Sequence, residues 1–261
     1  MMQLGKAVVI GAGNMATRLS LALQSRGLNI VQVYSRTARS ASLLAERLGN
    51  IPFTTQIGEI QPDAQIYIFS VSDSALPHII SQLPANDALW LHTAGSMPIE
   101  VFCSKTDRCG VLYPMQTISR DRDIDWSEVP VFIESKLPFD LDIIERIASS
   151  ISNRVIRCTS QQRRTVHLAA VFACNFSNHM YAIAEHLLNK EGLDFDVMKL
   201  LIRETEKKAE QMSPRDGQTG PAVRNDKNVM DKHMELLEVT PECELYRAIS
   251  QNIDRYKNLI D

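Results

Sequence analysis

Lys6-Ala7-Val8-Val9-Ile10-Gly11-Ala12-Gly13-Asn14-Met15-Ala16 sets an apolar run against a glycine turn, and a mixed segment follows over 14–25. There Met15, Leu19, Ala22 and Leu23 recur at helical spacing, so the stretch reads as strand, tight turn and helix. The turn has the pattern G-x-G-x-x-A. Gly11 permits the tight turn, Gly13 lets a pyrophosphate approach the backbone, and the small Ala16 allows the helix to pack close to the strand. The backbone around Ala12, Asn14 and Met15 then turns the N–H groups of the helix start toward the phosphates. The competing reading is a glycine turn that joins strand and helix and binds nothing.

About twenty residues on, the next apolar run ends in Tyr34-Ser35-Arg36-Thr37. A site for NAD carries an acid there, which accepts from the ribose hydroxyls and repels a 2′-phosphate. Here Ser35 and Thr37 offer hydroxyls, Arg36 can pair with a phosphate or lie across the adenine, and Arg39 is a second cation. A solvated helix start is the plain alternative. Cations are disfavoured at a helix N-terminus, however, so two of them ask for an anion, and the expected cofactor is NADP(H).

Apolar runs at 6–10, 30–34, 65–70, 88–92, 109–113 and 129–133, with a last one at 153–157, alternate with helix-like stretches. This predicts an α/β fold with a mainly parallel sheet, whose ligands bind beyond the carboxyl ends of the strands. Ser70-Val71-Ser72-Asp73 and His92-Thr93-Ala94-Gly95-Ser96 end two of the runs in small and hydroxyl residues, leaving room for a ribose and nicotinamide. Ser70 and Val71 are the cofactor contacts expected there, while Ser72 or Asp73 reads as a helix cap and His92 as a structural group. From residue 160 helical periodicity takes over, at 160–190, 195–212, 226–238 and 241–259. The expected organisation is a cofactor domain over 1–158 and an all-α domain over 159–261.

The composition fits that plan. The chain has 261 residues, 44% of them hydrophobic, and 28 Lys plus Arg against 31 Asp plus Glu, a formal charge of -3. No excess of positive charge is available to hold nucleic acid. Five cysteines without a C-x-x-C pair suggest neither a disulfide framework nor a zinc knuckle, so no metal is expected and a reducing cytoplasm fits best. The first apolar run is too short for a signal-peptide core or a membrane span.

Two polar features stand out in the second half. The helix from residue 160 carries His167, Cys174, Asn175, Asn178 and His179 among alanines and other apolar residues. At 100° per residue His167 and Asn178 fall within ~20° of one face and Asn175 ~80° round from His167, so the three can share a cleft. Bonds to neighbouring helices or to a second subunit explain them equally well. The other feature is the long segment 213–226, in which Thr219-Gly220-Pro221 makes a stiff turn and Arg224, Asn225 and Asp226 supply an anion ligand, an amide and a helix cap.

With these segments in place the chain resembles the superfamily of NADP-dependent reductases that includes pyrroline-5-carboxylate reductase, ketopantoate reductase and 6-phosphogluconate dehydrogenase. Residues 5–259 look like a bacterial group assigned as NADP oxidoreductases, with a Rossmann half and a helical domain of unknown function. The matching segments are Gly11 to Ala16, Tyr113-Pro114-Met115-Gln116-Thr117, His167 to Asn175, and Thr219-Gly220-Pro221-Ala222-Val223-Arg224-Asn225-Asp226. The resemblance implies a helical dimerisation domain and a substrate cleft, toward which Gln116, Asn178, Thr219 and Arg224 are the expected substrate ligands. One departure matters: related enzymes place a proton-donating lysine early in the long helix, whereas this chain has no lysine between Lys136 and Lys190. His167, eight residues before Asn175, stands in its place, and a histidine can donate a proton near neutral pH.

The sequence therefore reads as an NADPH-dependent reductase of a small polar carbonyl or imine, with His167 as proton donor and Asn175 orienting the substrate. The alternative is a non-catalytic NADP-binding sensor or scaffold. Apolar residues in excess on the helices, among them Leu200, Leu201, Leu236 and Leu237, lead to the expectation of a homodimer.

Overall fold

The computed structural model describes residues 5–118, 123–238 and 240–257. Its strands are β1 (Lys6–Ile10), β2 (Asn29–Tyr34), β3 (Phe53–Thr54), β4 (Ile66–Phe69), β5 (Leu89–His92), β6 (Cys109–Pro114), β7 (Val131–Ser135) and β8 (Val155–Arg157). They form one eight-stranded sheet in the order β3-β2-β1-β4-β5-β6-β7-β8. Every neighbouring pair is parallel except β6 with β7. Helices α1 (Asn14–Ser25), α2 (Ala38–Arg47), α3 (Leu76–Gln82) and α4 (Pro138–Ile151) accompany the sheet.

The central strands β4 and β5 are buried along their whole length because both faces of the sheet are covered there. Successive residues of β1 go to opposite sides: Val9 joins Leu19, Leu23, Leu44, Ile68 and Ile144 in one core cluster, while Val8 and Ile10 join Phe69, Trp90 and Phe102 in the other. Three strands depart from the sequence reading, β8 by beginning at Val155 rather than at 153. β3 is only two residues long, too short to leave a pattern. β7 lies two residues later than 129–133, in the register that pairs Pro114 with Val131 and Gly110 with Ser135.

The chain divides into two compact units that part after Asn175. The physical reason is the start of α5 (Ser160–Ala170). Thr159 and Gln162 form a reciprocal capping box. One turn on, the fully buried Arg163 bonds Glu134 on β7 and the Met97 carbonyl, and the Ser160 backbone N–H and hydroxyl each donate to Glu134 at 2.8 Å. The first half of the long helix thus belongs to the sheet unit. A π-helical segment, Val171–Phe176, follows α5 and leads into α6 (Ser177–Lys190).

The second unit holds α6, α7 (Lys199–Gln211), α8 (Pro221–Arg224), α9 (Lys227–Leu237) and α10 (Pro241–Lys257), with no strand among its described residues. The helices follow the predicted spans closely; Leu259, where the last was expected to end, lies outside the described residues. Asp226 caps α9 by accepting from the Val229 N–H, and His233 Nδ1 lies 2.9 Å from Tyr246 Oη between α9 and α10. Within 213–226 the chain makes the short α8, closed by Asn225 in the left-handed conformation.

Candidate cofactor and substrate site

The sheet changes winding direction at β1, which lies between β2 and β4, and the ends of these strands are tied together. The Gly11 N–H donates to the Tyr34 carbonyl at 2.8 Å and the Ser70 N–H to the Ile10 carbonyl at 2.7 Å. Gly11 has φ +118°, and a Cβ there would stand 2.1 Å from the Ser70 carbonyl oxygen, so no other residue fits without moving β4. Gly13 is the opposite case. A Cβ on it would meet nothing within 4 Å, so open space lies over the start of α1, whose first turn carries no acid. A bare glycine facing open space at an acid-free helix N-terminus is a seat for a pyrophosphate.

That space belongs to a cavity of about 1600 Å³ within the first unit. The volume exceeds the roughly 300–1,000 Å³ of pockets for drug-sized ligands, leaving room for a dinucleotide and a small second molecule. Gly11, Ala12, Gly13, Asn14 and Met15 line it, as do Ser35, Arg36, Thr37, Ser70 and Val71. So do Gln116, His167 and Asn175. Arg36 faces the cavity with Ser40, whose hydroxyl accepts from Thr37 Oγ1 at 2.9 Å, whereas Arg39 is exposed outside it. The residues present therefore fit NADP(H): hydroxyls and a guanidinium occupy the place where an acid would repel a 2′-phosphate. Asn178, Thr219 and Arg224 are exposed residues of the second unit. The shared helical face assumed for His167 and Asn178 rested on 100° per residue, which the wider turns of Val171–Phe176 do not keep.

The cavity also contains a side chain to which sequence reading gave no role of its own. Tyr113, at the carboxyl end of β6, places its Oη 3.1 Å from His167 Nδ1. Its strand-end position was the available signal. Burial pushes the Tyr113 phenol above its ordinary range, with Arg163 opposing and Asp73 adding to the shift. Asp73 in turn accepts from the Ser96 hydroxyl. His92 is structural: it is fully buried, its Nδ1 accepts from the Ala94 N–H at 3.2 Å, and burial, with Arg163 beside it, brings the imidazole down to about 3. Among the described residues no group of three or more His, Cys, Asp or Glu is placed to hold a metal ion, and no helix is long and apolar enough to cross a membrane.

Comparison with known proteins places these features. Residues 6–90 match the family described as NADP oxidoreductase, coenzyme F420-dependent, and residues 129–253 match a domain of unknown function, DUF2520. A crystal structure from Bacteroides fragilis, assigned as an NADP oxidoreductase, is 45% identical with a TM-score of 0.88, over 96% of this chain and 98% of that one. The chain belongs to this family of NADP oxidoreductases. It is accordingly an enzyme that uses NADP(H), which sets the sensor reading aside. The fold extends to more distant proteins. A Thermotoga maritima protein is 21% identical with a TM-score of 0.79, over 97% of this chain and 100% of that one. A reductive aminase from Aspergillus terreus, solved with NADPH and ethyl levulinate, is 16% identical with a TM-score of 0.73, over 96% and 93%. A search of curated proteins gave no match.

Proposed function

We propose that this oxidoreductase reduces a small polar carbonyl or imine compound, with His167 donating the proton and Asn175 orienting the substrate. The observation that carries the reading is that one cavity is lined both by the phosphate-facing turn and by a histidine on the strand-end side, with room for a second molecule. Bound NADPH supplies a hydride, which takes both electrons to the carbonyl or imine carbon. The imidazole of His167 gives a proton to the developing oxyanion or amine and is replenished from water. The Asn175 amide both donates and accepts, so it can fix a C=O or C=N group in one orientation. Gln116 lines the same cavity and is the further substrate contact proposed there.

The same proposal gives 1–158 the cofactor and 159–261 the substrate and dimer contacts, in a cytoplasmic homodimer. The exposed leucines of the helical unit support the dimer. The test is to mix the protein with NADPH and a panel of keto acids and cyclic imines while following loss of reduced nicotinamide. Turnover of a member of either class is expected, and His167→Ala should lower it by ~10²–10⁴ while NADPH affinity stays intact. A panel without a single responsive compound would overturn the reading.

A further inference from the structure

We infer that Tyr113 and Gly95 are positioning residues that hold the His167 imidazole by its Nδ1 side and leave Nε2 to serve the substrate. The inference rests on the proposed role of His167. Three separate pieces of chain meet at this ring: the loop after β5, the end of β6, and α5. Gly95 is buried, and a Cβ built on it would stand 2.6 Å from His167 Nδ1, 2.7 Å from Cγ and 2.9 Å from Cβ. The ring therefore lies directly on the glycine backbone. Because the Cβ of His167 is among the crowded atoms, rotating the imidazole alone would not make room for a larger residue. Gly95 serves here for the surface it leaves bare, since its φ is not one that excludes other residues.

Tyr113 closes the second side. Its ring meets the imidazole edge-on, with centroids 6.0 Å apart and planes at 76°, and it also packs against Phe132. A phenol is protonated at neutral pH, and burial moves this one further from ionisation. The phenol oxygen can accept from Nδ1–H both in the imidazolium and in the neutral ring left when Nε2 has given up its proton, so it holds the ring in both protonation states. Nδ1 is thereby occupied through the whole cycle. Nε2 makes no hydrogen bond to the described residues, and it is the nitrogen free to lose a proton to substrate and regain one from water. The second partner of a catalytic histidine fixes its tautomer and direction, and here that partner is Tyr113.

The experiment uses full-length protein labelled with ¹⁵N at histidine, with the His167 ring resonances assigned by their loss in His167→Ala. In Tyr113→Phe, which keeps the aromatic packing, the Nδ1 resonance is expected to move toward that of a nitrogen without a hydrogen bond. With a responsive substrate kcat should fall about tenfold while the NADPH dissociation constant is unchanged. Gly95→Ala should displace the ring and shift both nitrogen resonances; if that variant does not fold, Tyr113→Phe alone decides. An unmoved Nδ1 resonance, or an unmoved kcat, in Tyr113→Phe overturns the inference. A wild-type protein that reduces no member of the panel overturns the proposed reaction instead, and the resonance comparison, made without substrate, still decides whether Tyr113 holds the ring.

Discussion

Arg36 and His92 show how much a single side chain can decide. Arg36 brings a guanidinium to the cavity where an NAD site would carry an acid. Arg36→Ala should weaken NADP binding by ~1.5–3 kcal/mol, the range for charge-assisted hydrogen bonds, and leave NAD affinity almost unchanged. Fluorescence titration of both cofactors checks this, and equal losses would contradict the role. His92 sets a pH limit. Folded, it remains neutral down to about 3, whereas in the unfolded chain it takes up a proton near 6.5. The unfolded state therefore binds more protons between these values, and stability should fall by up to ~1.4 kcal/mol per pH unit as pH drops from 6.5 toward 3. Above 6.5 the group adds no slope. Denaturation curves at several pH values should show the slope, and His92→Phe should lack His92's share of it.

At the scale of elements, α5 is the part whose anchoring matters most. Its first turn is held by a buried cation, Arg163, against Glu134, which also accepts twice from Ser160. Removing one partner of a buried pair leaves the other desolvated and uncompensated, so Arg163→Ala should destabilise the sheet unit by ~3–5 kcal/mol in chemical denaturation. Loss below ~1 kcal/mol would mean that water replaces the guanidinium. The exposed pair Lys136–Asp107 has no comparable role, because water screens both partners. Farther along, the π-helical Val171–Phe176 places Cys174 and Asn175 on the cavity in a phase that a regular α-helix would not keep.

For the whole molecule, the telling feature is the surface of the helical unit. Leu200 is 76% exposed, Leu201 62% and Leu236 81%, whereas the sheet unit buries most of its large aliphatic residues in two clusters. Covering these leucines with a second copy needs only one self-complementary patch. Light scattering at micromolar concentration should then give about twice the 29.4 kDa chain mass. A monomer would remove the dimer from the proposal and leave the NADP site intact.

The sequence by itself determined what depends on neighbours along the chain. The strand, turn and helix from Lys6 to Ser25, the acid-free Ser35 to Thr37 after the second strand, the alternation that makes a parallel sheet and the helical second half all follow from local periodicity and local backbone demands. The two-residue β3 escaped because so short a pairing has no period. Only the tertiary structure decided what depends on distant residues. Tyr113 and Gly95 meet His167 across 54 and 72 positions, and Arg163 becomes buried because β7 supplies Glu134. Periodicity shows which face a side chain takes on its own element. Which other elements reach that face is fixed by sheet order and packing, and there the surroundings of the proposed proton donor are made.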